Sequence, residues 1–334
     1  MKRNMTEWLK KLPDTKKAMP ILSFPSVALL NCTVRELISS ADMQAKGMHE
    51  VAKRTDAAAS VSLMDLSVEA EAFGAEIRFS DDEVPAVVGA MIEDEKDIEK
   101  LEVPKVGTAR TGICIEAIEK ATALINDRPV FAGIIGPYSL AARLMDMQEL
   151  MMLGYDDEDA VHTLVDKCAQ FLINYAKAFK EAGADGIIMA EPVSGLLSPT
   201  LESEFSSPYV KKIIDAVQDD GFAVIYHNCG DNTPLMTESF LSMGACGYHF
   251  GNSVELSVLL EKYPDDVLVM GNVDPVAVLR MGTPDTVREK TLECLEKCAG
   301  HKNFVISSGC DMPPQTPWEN TDAFFKTVEE FYEG

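Results

Sequence analysis

Phe222-Ala223-Val224-Ile225-Tyr226-His227-Asn228-Cys229-Gly230 is a short apolar run that stops on a histidine and a cysteine. The run has the length and composition of a buried strand. About eighty residues further on, Phe304–Ser307 repeats the pattern and leads into Ser308-Gly309-Cys310-Asp311-Met312-Pro313. One imidazole and two thiolates form a borderline-soft donor set suited to Zn²⁺. Three protein ligands, His227, Cys229 and Cys310, leave the fourth tetrahedral position open, as in a catalytic rather than a structural zinc site. A metal with an open position can bind a thiol, deprotonate it and hold it as a nucleophile at neutral pH.

Outward from these runs, apolar stretches of strand length alternate with helical patterns. The expected strands are Met19–Phe24, Ala58–Leu63, Pro129–Ile135, Asp185–Ala190, Phe222–Tyr226, Cys246–Phe250, Val267–Met270 and Phe304–Ser307. Between them, Asp157–Glu181 places Val161, Leu164, Val165, Cys168, Phe171, Leu172 and Tyr175 on one helical stripe. Thr283-Pro284 suits the cap and first turn of a helix over Pro284–Cys298. Eight such βα units predict an α/β chain folded as a (β/α)₈ TIM barrel over residues 19–334, preceded by a short helical extension over 1–18. The rival, an open doubly wound sheet, lacks its Gly-rich dinucleotide fingerprint.

In a barrel, chemistry collects at the C-terminal mouth. The residues following the strands are Pro25, Asp65, Gly136-Pro137, Glu191-Pro192, His227-Asn228-Cys229, His249, Asn272 and Cys310. A shared rim would bring His227, Cys229 and Cys310 together despite their separation in sequence. Asp65 and Glu191 are the candidate catalytic carboxylates, with a helix-cap or surface role as the alternative for Glu191. His249 and Asn272 are the candidate cofactor contacts, with a hydrogen-bonded core histidine as the alternative for His249. Asp274 is expected to shape the rim loop through backbone bonds.

The net charge of −24 disfavours nucleic acid and anionic membranes as partners. The basic start lacks the apolar core of a signal peptide, and no apolar run reaches membrane-spanning length. Eight scattered cysteines point to a reducing, cytoplasmic setting with thiols free or metal-bound. Cys32, Cys114, Cys168, Cys246, Cys294 and Cys298 fall inside strand or helix patterns and read as structural. The acidic run Glu93–Glu99 reads as a solvated face. The methionines of Leu144–Leu153 read as core packing, with an adaptable docking surface as the alternative.

Glu181-Ala182-Gly183-Ala184-Asp185, Ile225–Gly230, Gly271-Asn272-Val273-Asp274-Pro275 and Ser308-Gly309-Cys310 carry a family resemblance. From about Met19 to Tyr332 the chain resembles the uroporphyrinogen decarboxylase superfamily, and within it the corrinoid-dependent methyltransferase branch of the methylcobamide:coenzyme M type. That resemblance implies a (β/α)₈ barrel and a zinc held by the positions of His227, Cys229 and Cys310. It also implies methyl transfer between a methyl-cobamide on a partner corrinoid protein and a zinc-activated thiol.

Methanogen members of the branch place a glutamate near the zinc after the sixth strand. Here the matching stretch is His249-Phe250-Gly251-Asn252, without a carboxylate. Asp65 matches the position of the decarboxylase's catalytic aspartate. The decarboxylase signature Met-Arg-Gln-Ala-Gly-Arg-Tyr is absent, and Ser23–Asn31 has no arginine to bind substrate carboxylates. Porphyrinogen decarboxylation therefore ranks below methyl transfer. Transfer in the demethylating direction, from a methylated substrate onto Co(I), is the closer alternative. The chain lacks an Asp-x-His-x-x-Gly corrinoid-binding motif. That counts against a corrinoid-carrying scaffold: a cobamide would come from a separate corrinoid protein or bind loosely.

Overall fold

The computed structural model describes residues 2–334. In chain order its strands are β1 (Ser60–Val61), β2 (Ile77–Arg78), β3 (Ala86–Val87), β4 (Val130–Ile135), β5 (Gly186–Ala190), β6 (Ala223–Asn228), β7 (Gly247–Phe250), β8 (Leu268–Val273) and β9 (Phe304–Ser308). Seven of them form one curled, parallel sheet in the order β1-β4-β5-β6-β7-β8-β9. β2 and β3 make a small antiparallel hairpin that the sequence reading did not anticipate. Each parallel step requires a crossover, and helices supply most of them.

Seven of the eight expected strands are present. The eighth, Met19–Phe24, joins no regular ladder and ends in a turn at Phe24. Pro20 has no N–H to donate, and the Ile21 N–H goes to the Ser308 hydroxyl at 3.1 Å. Isolated backbone bonds at its start tie the chain to both edges of the sheet. Met19 N–H donates to Ile306 O of β9 at 3.0 Å, and Ala58 N–H, just before β1, donates to Ala18 O at 2.8 Å. The seven-stranded sheet is consistent with the expected barrel, and the bridge between its edges is irregular.

Strand alternation sorts the residues. Phe131, Ile188, Ala190, Ala223, Ile225, Leu268, Met270 and Val305 pack in one interior cluster, joined by Met5, Leu9 and Leu12 of the N-terminal helical turns. The alternate residues, such as Ile187, Met189, Val224 and Tyr226, pack outward against the helices. The longest helix, Glu158–Glu181, is capped by Asp157 and buries the expected stripe from Val161 to Tyr175. Thr283 caps Pro284–Cys298, also as expected. Most of the methionine-rich stretch packs on the core, and Met152 is the exposed member. No helix among the described residues is long and apolar enough to cross a membrane.

Gly186 marks a tight interior approach of backbone and ring. A Cβ there would lie 2.4 Å from Ala223 O and 2.6 Å from the Phe131 ring. Backbone and a packed ring cannot both move aside, so Gly186→Ala is expected to cost about 1–3 kcal/mol. Denaturant unfolding measures this, and an unchanged midpoint would contradict the packing described.

Candidate active site

His227 sits inside β6, because its backbone pairs in register with His249 of β7. Alternation from Ala223 and Ile225 turns both rings to the interior. Cys229 follows one residue after β6, and Cys310 lies two residues after β9. One donor atom from each of His227, Cys229 and Cys310 lies within 4.8 Å of the others. The His227 Nε2 to Cys310 Sγ distance is 3.5 Å. Gly251 lets the β7 loop pass, since a Cβ there would lie 2.4 Å from Cys229 Cβ. His227 is buried and both cysteines are half-buried. The three residues therefore sit at the end of the interior, with the cysteines less deeply buried than His227.

The thiols influence each other. Their mutual hydrogen bond lowers the Cys229 pKa and raises that of Cys310 to about 12, with burial adding to the rise. A bound cation would remove the shared proton and favour both thiolates.

His249, expected as a cofactor contact, lies fully buried beneath His227. Its Nδ1 is 2.7 Å from His227 Nδ1, and its Nε2 is 2.7 Å from the Ser307 hydroxyl. Burial, then the neighbouring His227, pushes its pKa well below the usual histidine value. Both ring nitrogens are thus engaged within the protein, and neither is free to meet a cofactor. The Asn272 amide donates to Gly251 O at 3.0 Å and Val254 O at 2.8 Å, binding the β7 loop to the end of β8. Asp274 accepts from the N–H groups of Val276 and Ala277 and from Asn252, which is the rim-shaping expected of it.

The two candidate catalytic carboxylates are also committed. Glu191 is fully buried, and its oxygens accept from the N–H groups of Tyr138 and Ser139, at the start of the helix Pro137–Met145. A carboxylate suits that helix end. Burial pushes its pKa up to about 8. Asp65 accepts from Ser67 N and Oγ through one oxygen and from Arg110 through the other. Arg110 also pairs with Glu71 at 2.6 Å. Neither carboxylate belongs to the three-donor cluster. Sequence reasoning missed Arg110, because its partner lies 45 positions away and no pattern links them. It also missed Ser307 and Asp311. A hydroxyl at an inward strand position was the available signal for Ser307. Asp311 adjoins Cys310, 3.5 Å from Ser23 Oγ, and burial raises its pKa well above the usual carboxylate value.

Glu69 belongs to the same buried region as Asp65. One of its oxygens accepts from Ile135 N, and the other has no partner. Burial raises its pKa to about 7. A carboxyl whose folded pKa exceeds its unfolded value favours folding below the unfolded value. That contribution is lost as pH rises from about 4.5 to about 7. Stability should fall across that window by at most roughly 1.4 kcal/mol per pH unit from this group. Glu69→Gln should flatten the slope, and an unchanged slope would show that Glu69 does not titrate there.

The sequence matches the uroporphyrinogen decarboxylase (URO-D) family over residues 18–331. A methylcobamide:CoM methyltransferase, MtbA, from Methanosarcina acetivorans is 30% identical over 274 residues, 80% of this chain and 78% of that protein. A uroporphyrinogen decarboxylase from Hydrogenovibrio crunogenus is 27% identical over 283 residues, 81% of this chain and 78% of that one. The solved structure of a methyltransferase from Methanosarcina mazei superposes with a TM-score of 0.84 at 25% identity, covering 94% of each chain.

Proposed function

The chain belongs to the uroporphyrinogen decarboxylase (URO-D) family, and from that premise we propose that it is a methyltransferase acting between a corrinoid and a small-molecule thiol. The corrinoid is carried by a separate protein, and His227, Cys229 and Cys310 hold a zinc ion. The observation that carries this reading is the convergence of one imidazole and two thiols within 4.8 Å, in a chain whose relatives include methylcobamide:CoM methyltransferases.

The donor set fits the ion. Ligand atoms around tetrahedral zinc stand about 3.5–3.8 Å apart, from bond lengths of about 2.0–2.3 Å. The 3.5 Å between His227 Nε2 and Cys310 Sγ meets that spacing. Held by two thiolates and one imidazole, zinc would carry no net charge, lowering an incoming thiol's pKa below roughly 8.5 while leaving its sulfur electron-rich.

The remaining residues hold the frame. Asn272 and Asp274 fix the loops after β7 and β8, and Glu191 anchors the start of the helix after β4. Decarboxylation fits less well. Asp65, which matches the decarboxylase aspartate, spends both oxygens on Ser67 and Arg110.

The test supplies methylated corrinoid protein and candidate thiols such as coenzyme M, and follows loss of the methyl–cobalt absorbance. Thiol-dependent demethylation is expected, with free methylcobalamin used weakly and without saturation. A low, saturable KM for free methylcobalamin would contradict the separate carrier. No reaction with any thiol, together with methylation of Co(I) by a methylated amine or ether, would reverse the direction of transfer.

A further inference from the structure

Two carbonyl oxygens fix where the protons lie behind His227. The Ser307 hydroxyl is 2.8 Å from Met19 O and 2.7 Å from His249 Nε2. A carbonyl only accepts, so the single Ser307 hydrogen points at Met19. The hydroxyl oxygen must then accept from His249, which places the His249 hydrogen on Nε2 and leaves Nδ1 as a lone pair. That lone pair is 2.7 Å from His227 Nδ1, which must donate. The second carbonyl demands the same polarity, because His249 O lies 3.2 Å from the same His227 Nδ1. With its hydrogen on Nδ1, a neutral His227 ring carries its lone pair on Nε2, the atom 3.5 Å from Cys310 Sγ.

The opposite wiring fails at both ends. It would set the Ser307 oxygen against Met19 O with no hydrogen between them. It would also leave His227 Nδ1 without a hydrogen facing His249 O. All the members are buried, so no bulk water is at hand to repair either clash.

We propose that His249 and Ser307, anchored on the Met19 carbonyl, form a polarised relay that holds His227 in the one tautomer able to bind a metal through Nε2. Both are positioning residues, and the inference rests on the zinc reading of His227 for its purpose but not for its geometry. The relay also gives the irregular Met19 segment a task. It supplies the fixed acceptor that breaks the symmetry of the chain of hydrogen bonds, and its own N–H is tied to β9.

The polarity is tested on the metal-free protein with ¹⁵N-labelled histidine, by long-range ¹H–¹⁵N spectra. His227 is expected as the Nδ1–H tautomer and His249 as the Nε2–H tautomer. A hydrogen on His227 Nε2 would overturn the proposal. Chelator competition then measures the consequence. Ser307→Ala and His249→Leu should each weaken zinc binding by about 10–100-fold, the range for removing a partner of a ligating histidine. His249→Gln keeps an acceptor and a donor and should restore much of the loss. Ser307→Ala deletes one oxygen and keeps the test available if His249→Leu does not fold. Unchanged affinity in folded Ser307→Ala would also overturn the relay. If wild-type protein binds no zinc yet shows the expected tautomers, the zinc reading fails and the relay stands.

Discussion

Replacing Cys310 by serine is expected to lower zinc affinity by more than about 100-fold and to abolish thiol-dependent methyl transfer, while the fold survives. A lost ligand should exceed the roughly 10–100-fold cost of a lost supporting partner. Cys310 is half-buried on a loop beyond β9, and serine differs from it by one atom, so little packing changes. Cys229→Ser should behave alike, since both sulfurs lie in the same cluster with His227. Metal analysis of the three purified proteins, with circular dichroism beside it, decides the matter. About one zinc per chain in the wild type and almost none in the variants is the expected result. Full zinc content in both variants would remove the site.

The second large effect lies away from the metal. Arg110→Met is expected to destabilise the protein by about 3–5 kcal/mol, because it leaves Asp65 buried without its charge partner. The Arg110 and Asp65 side chains are 8% and 2% exposed, so water cannot take over the pairing. Glu71 would lose its partner as well, at a more accessible position. Zinc binding should survive in the folded fraction, since none of these residues belongs to the His227 cluster. Denaturant unfolding measures the first expectation and metal analysis the second. A loss below about 1 kcal/mol would mean that the pair is solvated after all. Loss of zinc from folded protein would instead return Asp65 to the site.

Residues legible in sequence were those whose signal is local. The run Phe222–Tyr226 announced β6, because a buried strand can be read from continuous apolar residues, and its ending on His227 and Cys229 marked two of the three residues that cluster. The helix Glu158–Glu181 was legible for the same kind of reason, a stripe at helical spacing. Met19–Phe24 misled because its apolar run looks like a strand while Pro20 interrupts the ladder. β1 is only Ser60–Val61, shorter than its apolar run, and beyond it the Gly133 N–H donates to the Ser62 hydroxyl in place of a backbone carbonyl.

Roles set by partners distant in sequence could not be read this way. Asp65 reads from sequence as a catalytic carboxylate at a strand end, while in the fold Arg110 holds it. Glu191 reads from sequence equally as a mouth carboxylate or a helix cap, and only the N–H groups of Tyr138 and Ser139, more than fifty positions away, decide for the helix end. His249 was visible as a polar residue on a strand. Its meaning depends on His227, 22 positions away, and on Ser307, 58 positions away.

The most direct measurement of the central claim is X-ray absorption at the zinc edge of the wild-type protein, with and without candidate thiols. Two sulfur ligands and one histidine nitrogen are expected at rest, from Cys229, Cys310 and His227. A third sulfur should enter the metal shell when the acceptor thiol binds, with release of a proton. A sulfur count that stays at two with every thiol tried would contradict thiol activation at this centre.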